Sequence, residues 1–393
     1  MSDPRLTTLP VAVVGFGWMG RVHTQAYSRV RHHYPALRPL PVLATVADEV
    51  PGRAAAAAEQ FAFGSSTESW RDVVADPSIG AVSVTSPNFL HREMGVAVAE
   101  AGKHLWIEKP VGLSADDARA VAIAAEKAGV QTAVGFNYRN APAVEQARGI
   151  IASGELGDVT HARFRFFSDY AAHPDGALSW RFERERGGSG VLGDLASHGA
   201  DLIWYLLGDI ASLVADTAVF IPQRAKPTGV TSGHMRASGG EQGPVENEDF
   251  VSAQLRMATG ARCVLEASRV AVGDQNSYGF EIHGTQGSVS WDFRRMGELQ
   301  LGLRAAGEDQ PMYQDQPQST LFVGPGAGEY GVFQPGSASA MGYDDLKVVE
   351  AARFLQSIAE NASVGATVRD AVRSASVLDA MTESVESGRW VTL

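Results

Sequence analysis

The chain has 393 residues, 45% of them hydrophobic and 20% charged, which is long enough for two globular domains with substantial cores. The formal net charge is −12 and no segment is rich in Lys or Arg, which argues against nucleic acids and anionic membranes as partners. The single cysteine, Cys263, excludes an internal disulfide. With no signal-like N-terminus and no apolar run near roughly 18 residues, the sequence predicts a cytoplasmic protein that does not span a membrane.

Strand-like and helix-like segments alternate through the first third of the chain. The predicted strands are 11–15, 42–47, 81–85, 104–108 and 131–136, and the predicted helices include 53–61, 89–101 and 114–128. This alternation is typical of an α/β fold with a doubly wound parallel sheet. We therefore expect residues 1–136 to form the first domain.

The pattern changes after Phe136. Helices near 142–152 and 194–207 accompany strands at 159–167, 211–220, 249–257, 261–270, 278–283 and 287–293, and two helices run from Tyr343 to about Ser387. Strands in direct succession indicate an antiparallel sheet, so residues 137–393 are expected to form an α+β domain. Two segments without periodicity, 221–248 and 304–340, are predicted to be surface arms.

A glycine-rich turn follows the first predicted strand and precedes a helix that starts near Arg21. Its residues are Gly15, Phe16, Gly17, Trp18, Met19 and Gly20. The first glycine permits a tight turn, the second lets phosphates approach, and the third lets the helix pack on the strand. The helix N-terminus adds partial positive charge that suits a pyrophosphate, so we predict a Rossmann dinucleotide site. The alternative is a tight turn without a ligand.

Asp48 is the first carboxylate after Gly20 and ends the second predicted strand. A carboxylate there accepts hydrogen bonds from the adenosine ribose and repels a 2′-phosphate, which favours NAD over NADP. Two alternatives stay open. In the first, Asp48 only caps the helix that begins near Arg53. In the second, Arg53 binds the 2′-phosphate of NADP.

Lys109 lies at the carboxyl end of a strand in the first domain, within the run Glu108-Lys109-Pro110. Carboxyl ends of such strands face the ligand crevice. An ammonium there can donate to a substrate hydroxyl and stabilise the alkoxide that develops as hydride leaves. The alternative is a surface lysine paired with Glu108.

Asp194 and His198 are four residues apart, so on a helix they share one face, with Asp201 close to the same stripe. A histidine can exchange a proton near neutral pH, and a carboxylate one turn away can orient its ring. The alternative is a structural pair. We expect no metal, because no third ligand lies close by in sequence.

The loop from 168 to 190 precedes this helix and is rich in aromatic and hydrogen-bonding side chains. The predicted substrate-binding residues in it are Tyr170, His173, Trp180 and Arg181. Aromatic faces and polar groups together suit a polyhydroxylated ring, whereas the alternative is a solvated charged loop.

Taken in order, these motifs resemble the Gfo/Idh/MocA oxidoreductases over nearly the whole chain. The motifs are GFGWMG, the run from Thr85 to His91, Glu108-Lys109-Pro110, the run from Gly135 to Arg139, and GDLASHGADL at 193–202. The resemblance implies a Rossmann domain followed by a large open-faced antiparallel sheet, whose exposed face forms a homodimer or homotetramer. It implies a cis peptide bond between Lys109 and Pro110.

The resemblance also assigns residues. Lys109, Asp194 and His198 form the expected catalytic set, and Tyr138 is expected on the substrate side. Side chains expected to line the nicotinamide and ribose are those of Thr85, Pro87, Asn88, His91, Glu108 and Asn137. Gly193 departs from the family pattern, in which a bulkier residue is common.

The sequence therefore predicts an NAD-dependent dehydrogenase that oxidises a secondary hydroxyl of a cyclic sugar, anhydrosugar or inositol. In the expected site that hydroxyl lies between Lys109 and His198. Two alternatives remain, because fold does not decide function. One is an NAD-dependent glycosidase with transient hydride transfer, and the other is a regulator that binds sugar and NAD without turnover.

Overall fold

The computed structural model describes residues 7–227, 237, 240–304 and 317–393. The chain divides into two compact units. Unit 1 comprises Met1–Asn137, Glu185–Gly188 and Gly342–Ala375, and unit 2 comprises Tyr138–Arg184, Ser189–Met341 and Ser376–Leu393. The segment Gly342–Ala375 thus groups with unit 1, although the sequence-based limits assign it to the second domain. Those limits stay a prediction.

Unit 1 contains a six-stranded parallel sheet. Its strands are β1 (Thr8–Val14), β2 (Leu40–Ala47), β3 (Ser65–Thr67), β4 (Ala81–Val84), β5 (His104–Ile107) and β6 (Thr132–Val134). The spatial order is β3-β2-β1-β4-β5-β6, with every neighbouring pair parallel. The order reverses between β1 and β4, and ligands of such sheets bind beyond the carboxyl ends at that point. The predicted Rossmann fold is confirmed.

The helices of unit 1 cover this sheet. They are α1 (Trp18–His33), α2 (Arg53–Phe61), α3 (Trp70–Ala75), α4 (Asn88–Glu100), α5 (Ala115–Ala128) and α10 (Tyr343–Glu360). The central strands are apolar on both faces because helices cover both, as the fully buried run Val11–Val13 illustrates. Helix α10 packs against α1, so a segment near the C-terminal end of the sequence belongs to the helices of the Rossmann unit.

Unit 2 contains a nine-stranded sheet. Its strands are β7 (Val159–Phe167), β8 (Ile210–Ala218), β11 (Phe250–Met257), β12 (Arg262–Ser268), β13 (Ser277–Gly284), β14 (Gly287–Asp292), β15 (Glu298–Leu303), β16 (Ser319–Phe322) and β17 (Val391–Thr392). The order is β16-β15-β14-β13-β7-β12-β11-β8-β17. All neighbours are antiparallel except β7 and β12, which are parallel, so the sheet is mixed rather than purely antiparallel. Along β11, buried residues alternate with more exposed ones, the pattern of a sheet with one covered face.

The remaining elements of unit 2 are short strands and helices. They are α6 (Pro142–Ala152), α7 (Arg184–Gly187, of which all but Arg184 is assigned to unit 1), α8 (Ser197–Leu207), α9 (Tyr330–Phe333), α11 (Val368–Ser387, divided between the units after Ala375) and the paired strands β9 (Gln223–Ala225) and β10 (Gln242–Pro244). The predicted arm 221–248 therefore contains a strand pair, and the arm 304–340 contains β16 and α9. Residues 228–236, 238–239 and 305–316 of these arms lie outside the described residues.

The helix predicted at 194–207 is not uniform. It begins as a π-helical segment, Leu192–Ala196, and continues as α8 from Ser197. Single π-helical turns are rare in proteins, and many of those that do occur lie at functional sites. Among the described residues, no helix is long and apolar enough to cross a membrane.

Candidate active site

The glycine-rich turn of unit 1 joins β1 to α1. Gly15 has a φ of +84°, a conformation that L side chains rarely adopt, and a Cβ there would lie 2.8 Å from the backbone nitrogen of Ser86. A Cβ on Gly20 would collide with the carbonyl oxygen of Gly15. At Gly17, by contrast, a Cβ would meet no protein atom within 4 Å. The turn therefore leaves space beside the N-terminus of α1, where a pyrophosphate would bind.

The side chains of this turn have defined partners. Phe16 is buried, whereas Trp18 is 67% exposed and stacks on Tyr343 of α10 with ring centroids 5.3 Å apart. The Tyr343 hydroxyl lies 3.7 Å from Sδ of Met19. Sequence reasoning missed Tyr343, which contacts both Trp18 and Met19 of the turn.

Asp48 directly follows β2, and its side chain connects that strand to the glycine-rich turn. Its Oδ2 accepts the backbone N–H of Phe16 at 2.7 Å, and its Oδ1 accepts that of Val50 at 2.9 Å. Arg53 Nη1 lies 3.3 Å from Oδ1. The N-cap of α2 is Gly52, without a side-chain cap, so Asp48 does not cap that helix. Contact of Asp48 with the cofactor ribose stays a proposal.

The segment after β4 carries several of the predicted cofactor residues. Thr85 Oγ1 donates to the carbonyl oxygen of Gly15 at 2.5 Å, Pro87 is the N-cap residue of α4, and Asn88 Nδ2 donates to the Gly187 oxygen at 3.3 Å. The ring nitrogens of His91 each lie 2.7 Å from a backbone oxygen, Nδ1 from that of Pro110 and Nε2 from that of Ser86. His91 therefore holds two backbone segments together.

Asn137 follows β6 and is fully buried. Neither Oδ1 nor Nδ2 of its amide has a hydrogen-bond partner among the described residues. A buried amide without partners carries a desolvation cost that a polar ligand would relieve. Together with the open space at Gly17, this amide shows that unit 1 fits the dinucleotide that its fold implies.

Lys109 directly follows Glu108 at the carboxyl end of β5, and its side chain is half-buried. The Lys109–Pro110 peptide bond is cis, as the resemblance implies. Glu108 is buried, and its Oε1 accepts from Lys347 Nζ at 2.5 Å and lies 2.8 Å from His23 Nε2. Glu108 thus contacts an internal cation, and its expected position along the cofactor ribose stays a prediction. A lysine within the buried stripe of α10 is the sequence signal that could have pointed to this pair.

In unit 2, Asp194 lies in the π-helical segment rather than on a regular helix. The Tyr170 hydroxyl donates to its Oδ2 at 2.5 Å. Burial, with the neighbouring Asp194 carboxylate, raises the pKa of Tyr170 well above its ordinary value, so this hydroxyl remains a donor. The Tyr170 hydroxyl therefore holds the carboxylate, and the expected contact of Tyr170 with a substrate stays a prediction.

His198 lies one residue into α8 and is 6% exposed. The ring of Tyr138 meets it edge-on, with centroids 4.8 Å apart and planes at 87°. Phe166 packs on it at 5.9 Å, and the Tyr278 hydroxyl donates to its backbone oxygen at 2.8 Å. Tyr138 thus orients the imidazole, which adds a packing role to its predicted place on the substrate side.

Asp201 does not extend the polar stripe towards the site. Its carboxylate accepts two hydrogen bonds from the buried guanidinium of Arg139, one of them from Nε at 2.7 Å. A buried bidentate pair of this kind is structural. Of the three polar residues predicted on this helix, Asp194 and His198 remain candidates.

The loop ahead of the π-helical segment is only partly arranged as predicted. Trp180 is half-buried, and the Arg181 guanidinium stacks on its ring at 4.5 Å. Nε of Arg181 is buried without a hydrogen-bond partner among the described residues, which suits contact with a substrate hydroxyl. His173 is on an exposed turn, where its Nδ1 accepts the backbone N–H of Asp175 at 3.1 Å. Nothing in that turn supports a substrate contact by His173.

Two family models match the chain. Residues 9–136 match the oxidoreductase family with an NAD-binding Rossmann fold, and residues 144–290 match the GFO/IDH/MocA C-terminal domain. The predicted resemblance is therefore confirmed.

Individual relatives match from 71% to 98% of the chain. Levoglucosan dehydrogenase of Pseudarthrobacter phenanthrenivorans is 36% identical over 98% of both chains. The scyllo-inositol 2-dehydrogenase (NAD(+)) of Bacillus subtilis is 29% identical over 71% of this chain and 72% of its own. A solved structure of levoglucosan dehydrogenase in complex with NADH and levoglucosan superposes with a TM-score of 0.90 at 35% identity, over 98% of this chain and 99% of that one. The chain belongs to the Gfo/Idh/MocA family of oxidoreductases.

Proposed function

We propose that this protein is an NAD-dependent dehydrogenase that oxidises a secondary hydroxyl of a cyclic sugar, anhydrosugar or inositol to the ketone. The observation that carries the proposal is the carboxylate of Asp194, held by Tyr170 in a π-helical turn four residues before an imidazole enclosed by aromatic rings. Such a pair can orient a hydroxyl and remove its proton. The similarity to levoglucosan dehydrogenase along 98% of both chains supports the substrate class.

The chain's own residues perform the acid–base part of this reaction. His198 takes the proton of the substrate hydroxyl as general base, and Asp194 orients the hydroxyl and the imidazole. The Lys109 ammonium stabilises the negative charge that develops on the oxygen. NAD, held by unit 1, would supply the hydride acceptor for the carbon that carries this hydroxyl.

NAD is held by unit 1. The backbone of the glycine-rich turn and the N-terminus of α1 bind the pyrophosphate, and the Asp48 carboxylate accepts from the adenosine ribose. The buried amide of Asn137 hydrogen-bonds the nicotinamide side of the cofactor. Asp48 disfavours the 2′-phosphate of NADP by charge, which makes NAD the preferred cofactor.

The deciding experiment is a screen for NADH formation by absorbance. Wild-type protein is incubated with NAD or NADP and a panel of levoglucosan, pyranoses, 1,5-anhydrosugars and inositols, with short secondary alcohols and 2-hydroxy acids as controls. We expect turnover with NAD and at least one ring polyol, and poor turnover of the controls, because buried polar groups in the site would be left unpaired by them.

Two outcomes would contradict the proposal. Release of a reducing sugar from a glycoside without NADH accumulation would indicate a glycosidase. Binding of NAD and sugar without any turnover would indicate a regulator.

We also propose that the protein is cytoplasmic and forms a homodimer or homotetramer through the less covered face of the nine-stranded sheet. The single, buried Cys263 suits a reducing compartment. Charged side chains such as Arg163, Arg165 and Glu281 lie on that face, where a concavity of about 440 Å³ is lined by them and by β14–β15 residues. Sedimentation at several protein concentrations tests the assembly.

A further inference from the structure

A cluster of ionisable side chains is buried beneath the carboxyl end of β5. It comprises His23 of α1, Glu108 after β5, and Lys347 and Glu350 of α10, none of them more than 8% exposed. Trp106 of β5 closes it, stacking on the His23 ring with centroids 3.6 Å apart. None of these side chains has a part in the acid–base chemistry proposed above.

Lys347 is the centre of the cluster. Its Nζ donates to Glu108 Oε1 at 2.5 Å and to Glu350 Oε1 at 2.9 Å. Trp106 Nε1 donates to the same Glu350 oxygen at 2.7 Å. Atoms of His23, Glu108 and Glu350 lie close enough together to ligate a metal ion, within 4.8 Å of one another, but the Lys347 ammonium already binds both carboxylates. The chain therefore supplies its own cation here.

The charges of the cluster are matched. Burial alone would raise the pKa of Glu108, yet the Lys347 ammonium outweighs it and lowers that pKa below its usual range. Burial raises the pKa of Glu350 to about 7, and burial lowers the pKa of His23 to about 4. At neutral pH the permanent charges are therefore those of Lys347 and Glu108, which pair with each other. The other ionisable groups near Glu108 are His91, whose pKa burial lowers, and Lys109.

This pair fixes the residue that precedes Lys109. A Cβ on Gly135 of the next segment would collide with the Glu108 carboxylate, so Glu108 is also enclosed from that side. The residue that follows Lys109 is fixed too, because the Pro110 oxygen lies 2.7 Å from His91 Nδ1. Lys109 lies between two residues whose positions are set by α1, α4 and α10.

We propose that Lys347 is a positioning residue for Lys109: its buried ion pair with Glu108 fixes the end of β5 and thereby aims the Lys109 ammonium at the substrate oxygen. The inference rests on the proposed role of Lys109 in the dehydrogenase reaction. It makes helix α10, more than 200 residues downstream, part of the machinery that holds the site.

The kinetic test compares Lys347→Met with Glu350→Gln. Both changes lie in the same buried cluster, but Glu350→Gln keeps the Lys347–Glu108 pair and retains an oxygen for Trp106. We expect Lys347→Met to lower kcat about 10²-fold, the cost of a displacement near 1 Å at a catalytic group. Sugar KM and the Kd for NADH should change by less than about threefold, because the lost interaction acts in the transition state. Glu350→Gln should retain wild-type kcat.

Loss of stability alone has a different signature. If Lys347 were only structural, Lys347→Met would lower Tm while the folded protein kept its kcat, and that result would overturn the proposal. Should Lys347→Met fail to fold, the double variant Lys347→Met/Glu350→Gln removes one of the two facing carboxylates and is measured instead. The same fall in kcat is expected.

A second measurement needs no turnover and separates this inference from the proposed function. The lysines of the chain are Lys103, Lys109, Lys127, Lys226 and Lys347. Reductive methylation with ¹³C-formaldehyde labels the accessible ones, and Lys109→Arg assigns the Lys109 signal. We expect the Lys109 signal to move in Lys347→Met/Glu350→Gln relative to Glu350→Gln, while those of Lys127 and Lys226 stay.

The two measurements distinguish the possible failures. A moved Lys109 signal in a protein that oxidises no sugar would retain the positioning role and reject the proposed function. An unmoved signal together with unchanged kcat would reject the positioning role and leave the function standing.

Discussion

Tyr170→Phe tests the hydrogen bond that holds the Asp194 carboxylate. The change removes one oxygen and keeps the ring, so packing around position 170 is preserved. Asp194 loses the hydroxyl that donates to its Oδ2 at 2.5 Å. Because burial and the Asp194 charge raise the pKa of Tyr170, this donor is present in the wild type across the working pH range.

The size of the effect follows from the charge of the acceptor. A hydrogen bond to a charged group contributes about 1.5–3 kcal/mol, against about 0.5–1.5 kcal/mol for a neutral one. A free-energy difference of about 1.4 kcal/mol corresponds to a tenfold change in a rate constant. If the transition state loses the whole energy of this hydrogen bond, kcat/KM for the sugar should fall roughly 10- to 100-fold. The Kd for NADH should not change, because the cofactor is proposed to bind unit 1.

Tyr330→Phe is the matched control for this change. Tyr330 is a buried tyrosine of unit 2 whose hydroxyl lies 2.9 Å from the Gly336 oxygen and 2.7 Å from the Ser339 oxygen, so its single proton has a carbonyl acceptor. Its loss should lower Tm without changing kcat/KM. A kcat/KM of Tyr170→Phe within about twofold of wild type would correspond to less than the energy of a single neutral hydrogen bond. The role assigned to the Tyr170–Asp194 contact would then be wrong.

Three further predictions concern the base, the cofactor and the buried cluster. His198→Ala should lower kcat about 10²- to 10⁴-fold, and wild-type oxidation should decline at acid pH because a protonated imidazole accepts no proton; full activity with an unchanged acid limb would make His198 structural. Asp48→Ser should weaken NAD use and narrow the gap to NADP in kcat/KM, whereas a wild type that prefers NADP would assign the choice to Arg53. Burial raises the pKa of Glu350 from 4.5 to about 7, so its contribution to stability is complete below pH 4.5 and is lost as pH rises to 7. As pH rises from 4.5 to 7, the Tm of Glu350→Gln should therefore approach or overtake that of wild type. Above pH 7 the difference between the two Tm values should stay constant. A difference that is already constant from pH 4.5 to 7 would refute this.

Much of the fold was determined by local sequence patterns. Alternating apolar and helical segments predicted the parallel sheet, and the predicted strand 159–167 and helices 53–61 and 142–152 coincide with β7, α2 and α6. The parallel pairing of β7 with β12 was not predictable in this way, because a strand's sequence does not state which neighbour it meets or in which direction. That choice depends on how the whole sheet buries its covered face.

The cofactor side of the site was largely determined by sequence as well. The glycine-rich turn is a local motif, since each glycine answers a backbone constraint set within a few residues, as the positive φ of Gly15 shows. The partner of Asp48 was not local. Its carboxylate accepts the N–H of Phe16, a contact between residues 32 positions apart that exists only once β1 and β2 are paired.

Only the tertiary structure decided how the polar side chains are partnered. The sequence spacing predicted that Asp194, His198 and Asp201 share one helical face. In the structure Asp194 lies in a π-helical turn, where the angular spacing of the residues differs from that of an α-helix, and Arg139 binds Asp201. Glu108 pairs with Lys347, 239 residues away, a partner that the sequence did not indicate. A sequence shows that a charged residue lies within an apolar stretch, and such a charge needs a partner when it is buried. Which partner it finds is set by the packing of α10 against the sheet, because a buried ion pair forms only where the fold brings both charges out of water at the same point.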